Sequence, residues 1–438
     1  MMKNIIAKLT NTCTRTGSPD YSYAKATAHK QARVSVDVSV EALAKSEGKR
    51  GGGSVPLVAI SAVLSLLSLS NIQATTIKQV SISEFVAQYP QTNLVACTDK
   101  VPFKINPFPL YQDVAQKYFP SEGYFLETSV LEIPNGKAYL DGGGYVFVNN
   151  CFIKETEIKG LNYFSGQEFE IPHVSTNMRV SGRVAVISHL YPYCYGHFIF
   201  DVLGQLALLE LNNIEYDYLC VPYGNKFMQE ALQLWGIDQS KIIPLCPKLC
   251  LQASTIIMAT SVTQTDKLVY GANYNLDFIL RHVSQKLLAG VGNTVLNNAQ
   301  HYGQKIFISR KDAGGKRAIP NEDEIFALFE PLGFKRYELT SLSLAQQIAL
   351  FHNATTIVSF VGSGSTNVMF CKPGTHYVEI IQSLVDATFF YVADMFDLQY
   401  SYINNSTLQD LERGGPWAKP SEMPLNLIQD FLNENPNL

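Results

Sequence analysis

The sequence predicts an α/β protein made of two consecutive doubly wound units behind a β-rich extension. Three observations predict it. From about residue 181 onward, short β-branched runs alternate with helix-length segments, the pattern of βαβ units and a parallel sheet. The alternation pauses in a stretch rich in Gly and Asn, 289–303, and restarts at Lys305. The 438 residues are enough for two domains and an N-terminal extension. The divisions expected are a flexible leader (1–75), the extension (76–180), a first unit (181–290) and a second unit (300–438).

Composition narrows the class. Hydrophobic residues make up 46% and charged residues 16%, as in globular proteins, and the formal net charge is −4. A broad nucleic-acid surface is not expected from that balance. Cys246 and Cys250 form a lone C-x-x-x-C with no second pair at zinc-site spacing, so no structural metal is expected.

The elements follow in order. The leader is polar and short of aromatics, ending in Lys49-Arg50 and Gly51-Gly52-Gly53. An apolar segment at 55–70 comes next, short for a membrane span of about 20 residues. Its basic flank and the small Ala74 read as a signal peptide or signal anchor. An ordinary buried segment reads equally well. An anchor would put the body in the secretory pathway or at a membrane, and without one the protein is expected in the cytoplasm. In the extension, Tyr124–Leu126 and Val130–Ile133, the turn Pro134-Asn135-Gly136, and Gly142–Gly144 before Tyr145–Val148 suggest a small sheet.

The first unit offers strands at Val184–Ser188, Tyr216–Val221, Lys241–Leu245 and Thr255–Ala259. Its helices are expected at Gly196–Asn212, at Lys226–Trp235 with Gly236 as the stop residue, and at Asn273–Leu288. In the second unit, Lys305–Ser309, Arg336–Leu339, Thr355–Phe360 and His376–Ile381 are strands. Asn321 with Glu324 and Ser343 with Gln346 read as capping boxes opening helices. Two such units place a ligand crevice at the strand C-termini, between them.

Four groups could carry chemistry there. Gly362-Ser363-Gly364-Ser365-Thr366-Asn367 follows a buried strand, and glycines with backbone N–H groups suit a diphosphate. A tight turn is the plainer reading. Arg310 at a strand end and Arg317 after Gly314-Gly315 suit phosphate, or are simply exposed arginines. Glu379, within an apolar strand, needs a partner, which a ribose diol would supply, or else it makes a structural salt bridge or faces solvent. His197, Asp201 and Gln205 recur at four-residue spacing on one helix. They are a solvated helix face, or else His197 faces the crevice as a general base oriented by Asp201.

Taken together, three blocks resemble glycosyltransferase family 61. They are Tyr195-Gly196-His197-Phe198-Ile199-Phe200-Asp201-Val202-Leu203; Ile308-Ser309-Arg310 through Arg317-Ala318-Ile319-Pro320-Asn321-Glu322; and Gly362–Phe370 with Pro373-Gly374-Thr375 and Glu379. One difference stands out: Phe360-Val361 occupies the place where the family usually has a histidine. The resemblance implies two Rossmann-like lobes of the GT-B type, a nucleoside-diphosphate sugar as donor, a glycan or protein hydroxyl as acceptor, and inversion at the anomeric carbon. It favours function for His197, Arg310 and Glu379. No cofactor is expected beyond the donor. No D-x-D occurs in the chain, so arginines and helix dipoles are expected to take the place of a metal on the diphosphate. A membrane-tethered carbohydrate binder on a degenerate transferase scaffold is the alternative.

Overall fold

The computed structural model describes residues 37–39, 76–104, 106–115, 117–140, 145–156, 169–170, 176–189, 191–246, 249–263, 277–312, 318–382, 384–413 and 421–438. The apolar segment 55–70, Gly142–Gly144 and Arg317 lie outside the described residues. Among the described residues no helix is long and apolar enough to cross a membrane.

The protein is α/β. Five strands organise the first sheet: β1 (Thr128–Pro134), β2 (Thr176–Val186), β3 (Tyr218–Val221), β4 (Ile242–Pro244) and β5 (Leu249–Ala259). The last four lie side by side and parallel, in the order β5-β2-β3-β4. β1 runs antiparallel along β5, with Thr255 opposite Pro134. The strand Lys137–Leu140 continues along the same neighbour, with Gln252 opposite Lys137. The extension therefore joins the first unit in one twelve-stranded mixed sheet, where the sequence alone suggests a small sheet of its own. Pro134-Asn135-Gly136 explains the difference. Asn135 takes φ of 53° and donates its N–H to the Ser254 carbonyl at 2.8 Å, which kinks the chain along β5 instead of reversing it.

The helices that matter are α1 (Tyr195–His197, a π-helical turn at Phe198–Val202, then Leu203–Leu211), α2 (Lys226–Trp235), α3 (Asp277–Val291), α4 (Glu322–Phe329) and α5 (Leu344–Asn353). Gly236 closes α2 in the left-handed conformation, as expected. The expected linker is largely helical. α3 runs on to Val291, and short helical turns follow at Asn293–Asn297 and Ala299–Tyr302. Leu287, Val291 and Ala299 are buried and draw this stretch onto the core. Ser343 and Gln346 form their capping box. Asn321 does not cap α4, because its amide is engaged with Met423, donating to the carbonyl (2.8 Å) and accepting from the N–H (3.0 Å).

The second sheet holds β6 (Lys305–Ile308), β7 (Lys335–Tyr337), β8 (Thr356–Phe360), β9 (His376–Ile381) and β10 (Gln399–Asn404). All five are parallel, in the order β7-β6-β8-β9-β10. In sequence terms this is 2-1-3-4-5, a doubly wound order whose direction reverses between β6 and β8. Ligands bind such sheets just beyond the strand C-termini at that reversal. Here those ends lead to Arg310 and to Gly362.

One apolar cluster joins the two sheets. It runs from Ala185 and Ile257 of the first through Leu203 of α1 and Leu280 of α3 to Ile306 and Ile357 of the second.

Candidate active site

The first turn of α1 sits against the loop that follows β8. Cys194 Sγ lies 3.3 Å from Ser363 Oγ, and the Tyr195 hydroxyl donates to Asn367 Oδ1 at 2.7 Å. Between them a Cβ on Gly196 would lie 3.1 Å from Thr366 Oγ1, so this close approach leaves little room for a side chain. His197 comes next, at the edge of this contact.

The four-residue stripe on α1 is not a solvated face. Asp201 and Gln205 are buried, and the His197 side chain is only 24% exposed. Gln205 bridges the Ser188 backbone, accepting from its N–H at 3.3 Å and donating to its carbonyl at 3.0 Å. Asp201 Oδ2 lies 2.9 Å from His197 Nδ1. The π-helical turn, closed by the Leu203 N–H on the Phe198 carbonyl five residues back, contains Asp201. Such turns recur at functional sites.

Sequence reasoning missed His189. It follows the end of β2, is buried, and places Nε2 3.6 Å from Asp201 Oδ2. Its ring stacks on His197, with centroids 4.6 Å apart and 21° between planes. A histidine just beyond a buried strand was the available signal. The ligand atoms of His189, His197 and Asp201 lie within 4.8 Å of one another, a spacing that a divalent ion could span. Near-parallel stacked imidazoles direct their in-plane lone pairs alongside each other, however, whereas a shared ion needs them to converge. Within the group only His197 and Asp201 are hydrogen-bonded, with His189 stacked beside them.

Electrostatics separate the two imidazoles. Burial pushes His189 down to about 4, against the pull of the Asp201 charge. Burial would lower His197 too, but the hydrogen bond and charge of Asp201, with Cys194 and Asp386, outweigh it and raise the group above its ordinary value. Burial works to raise Asp201, and His189, His197 and Thr263 hold it below the usual value. Opposite displacement of two neighbouring titratable groups is what acid–base sites use. Asp386, beyond the end of β9, is the second group that the sequence reading did not single out.

Arg310 stands beyond the end of β6. Its Nη1 donates to the Val361 carbonyl at 3.0 Å, and its backbone N–H to Glu322 Oε2 at 2.8 Å. Buried Glu322 also accepts from the Ser309 hydroxyl at 2.5 Å, so the first residue of α4 fixes the strand end that carries the arginine. A Cβ on Gly362 would overlap the Arg310 guanidinium. Glycine is needed there for space, since its φ of 163° is ordinary extended backbone.

The loop differs from the open cradle the sequence suggests. Ser363–Phe370 is a 3-10 helix, with Ser365, Thr366 and Asn367 buried. Ser365 Oγ is 2.8 Å from Ser359 Oγ, and the Asn367 amide donates to Gln347 Oε1 and the Gly364 carbonyl. Those three side chains are buried in the interior, and at the start of the loop Ser363 and Gly364 keep partial exposure. Glu379 neither faces solvent nor makes a salt bridge among the described residues; tyrosine hydroxyls satisfy it instead. It has no exposed surface, Oε1 accepts from the Tyr377 hydroxyl (3.0 Å) and Oε2 from the Tyr400 hydroxyl (2.8 Å). Burial pushes it up to about 8, against those two hydrogen bonds. A ribose could reach it only by displacing a tyrosine. Phe360 and Val361 are buried, and Phe360 packs edge-on against Phe307.

Residues 195–378 match the family model for glycosyltransferase 61. Over those residues the chain is similar to glycosyltransferase family 61, which supports membership of that family. The matched stretch begins at Tyr195 on α1, takes in Arg310 and the whole Gly362–Phe370 segment, and stops one residue before Glu379. No curated protein matches the chain. The match supports glycosyltransferase activity, a reaction that takes a sugar donor and an acceptor.

Proposed function

We propose that this glycosyltransferase moves a sugar from a nucleoside diphosphate to a hydroxyl of a glycan or protein, with inversion. The two sheets would act as the two lobes of a GT-B transferase. The observation that carries this reading is the His197–Asp201 pair at 2.9 Å, half-buried beside the loop of the second sheet. An inverting transfer needs one base on the acceptor hydroxyl and a clamp on the leaving diphosphate. His197 would take the acceptor proton on Nε2, while Asp201 holds Nδ1–H and stabilises the imidazolium that forms. The acceptor oxygen then bonds to the anomeric carbon as the bond to the diphosphate oxygen breaks. Arg310, placed by Glu322 and Gly362, would face the departing charge together with the N-terminal turn at Ser363, and Arg317 would add to it. This clamp needs no metal.

The test is release of nucleoside diphosphate from a panel of UDP- and GDP-sugars, with and without acceptor glycans, in EDTA. Release that persists in EDTA and rises with an acceptor is expected. Release that stops in EDTA and returns with Mn²⁺ would overturn the arginine clamp. Binding of sugars with no release from any donor would favour a carbohydrate-binding protein instead.

A further inference from the structure

We propose that His189 is a positioning residue for the base, a fixed ring whose N–H dipole faces the Asp201 carboxylate and whose plane supports the His197 ring. The inference rests on the base role proposed above and deepens it. The tautomer follows from hydrogen bonding. The Tyr191 backbone N–H donates to His189 Nδ1 at 3.2 Å, so the neutral ring carries its proton on Nε2. That Nε2–H faces Asp201 Oδ2 across 3.6 Å, beyond hydrogen-bond length, and Nε2 has no hydrogen-bond partner among the described residues. The same oxygen accepts from His197 Nδ1. One carboxylate oxygen is thus flanked by two imidazoles, and the stack of the two rings fixes the plane of His197.

The chemistry needs the two rings to differ. If both could take a proton, an acceptor proton delivered to the cluster would be shared, and the base would be quenched part of the time. His189 is buried and stays neutral, while His197 is partly exposed and is paired with the carboxylate. The groups that act on His197 are Asp201 on its own helix, Cys194 before α1 and Asp386 from the second sheet's side, and the His189 ring stacks on it from after β2. His189 contributes the positive end of an N–H dipole. It stabilises the Asp201 carboxylate and at the same time opposes a second positive charge on His197.

Two substitutions separate this role from plain packing. His189→Phe keeps a stacking ring of similar size and removes the N–H. His189→Gln keeps an N–H donor near the Nε2 position and removes the ring. The measurement is the midpoint of His197, followed by NMR of the full chain labelled at histidine Cε1, with His197→Gln to assign the signal. In the parent protein His197 should titrate above 6.5 and His189 should not titrate down to about pH 5, in line with their opposite displacements. In His189→Phe the His197 midpoint should rise by about half a unit to one unit, on the scale of typical neighbour effects. In His189→Gln it should stay within a few tenths of the parent value.

An unchanged midpoint in a folded His189→Phe protein would overturn the proposal. So would equal displacement in both variants, since that would mark a packing role. A Zn²⁺ titration of the parent protein adds a third arm. Stoichiometric binding that is lost in both His189 variants would make the cluster a metal site and overturn the positioning role. None of these readouts needs a donor or acceptor, so they stand or fall apart from the transfer assay.

Discussion

At the scale of single residues, the imidazole–carboxylate pair on α1 dominates. Loss of a general base costs about 10² to 10⁴ in rate. His197→Ala should lower kcat by that much in steady-state transfer assays and leave donor affinity nearly unchanged. Since the base must be neutral to act, and Asp201 holds its midpoint above 6.5, the rate should fall as pH drops through a limb lying above 6.5. A limb below 6, or a normal rate in the alanine variant, would remove His197 from the chemistry. Glu379 makes a separate prediction. Its folded pKa, about 8, exceeds the ordinary 4.5, so it contributes stability that is complete below 4.5 and is lost as pH rises toward 8. Glu379→Gln removes that titration. The melting temperature of the parent should therefore fall more steeply between pH 5 and 8 than that of the variant, and parallel curves would contradict a buried, titrating Glu379.

At the scale of elements, much was legible and the misses have physical causes. The strand–helix alternation of the second unit, the Ser343 capping box and the Gly236 stop all follow local rules, and they stand where those rules put them. Asn321 obeys the same rule in sequence but spends its amide on Met423, a residue 102 positions away that no local pattern can reveal. The helix at 195–211 was legible. Its π-helical turn was not, nor was the burial of Asp201 and Gln205, because the partners that bury them come from the loop after β2. The Gly-rich loop shows the same limit: glycine at 362 marks close approach, but only the fold shows that Arg310 is what approaches. Gly362→Ala should push the guanidinium off the strand end. The expected result is nucleoside-diphosphate binding weakened by about tenfold or more in calorimetry, the order of one lost charge-assisted contact of roughly 1.5–3 kcal/mol. Arg310→Lys, which keeps the charge but not the fork, should be impaired as well. Unaltered binding in both variants would place the diphosphate elsewhere.

At the scale of the whole molecule, the composition and the repeated alternation point to two units, yet their interiors are continuous. The largest apolar cluster takes in strands of both sheets and the faces of α1 and α3 between them. α3 reaches the second unit through Ser284 Oγ, which donates to the Met369 carbonyl at 2.9 Å, and α2 reaches it through Glu230, which accepts from the Leu344 N–H at 2.8 Å. The extension also crosses over: the Tyr391 hydroxyl donates to the Phe119 carbonyl at 3.0 Å. Domains docked through small, polar interfaces move and melt on their own. Here, unfolding either unit would strip cover from apolar side chains of the other, at about 25 cal/mol per Å² exposed. The two units should therefore unfold together. Differential scanning calorimetry should show one cooperative transition, with the van't Hoff enthalpy close to the calorimetric one. Two resolved transitions, or a van't Hoff enthalpy near half the calorimetric value, would mean that the shared core does not couple the units, and that the contact between α1 and the Gly362 loop can open without melting either side.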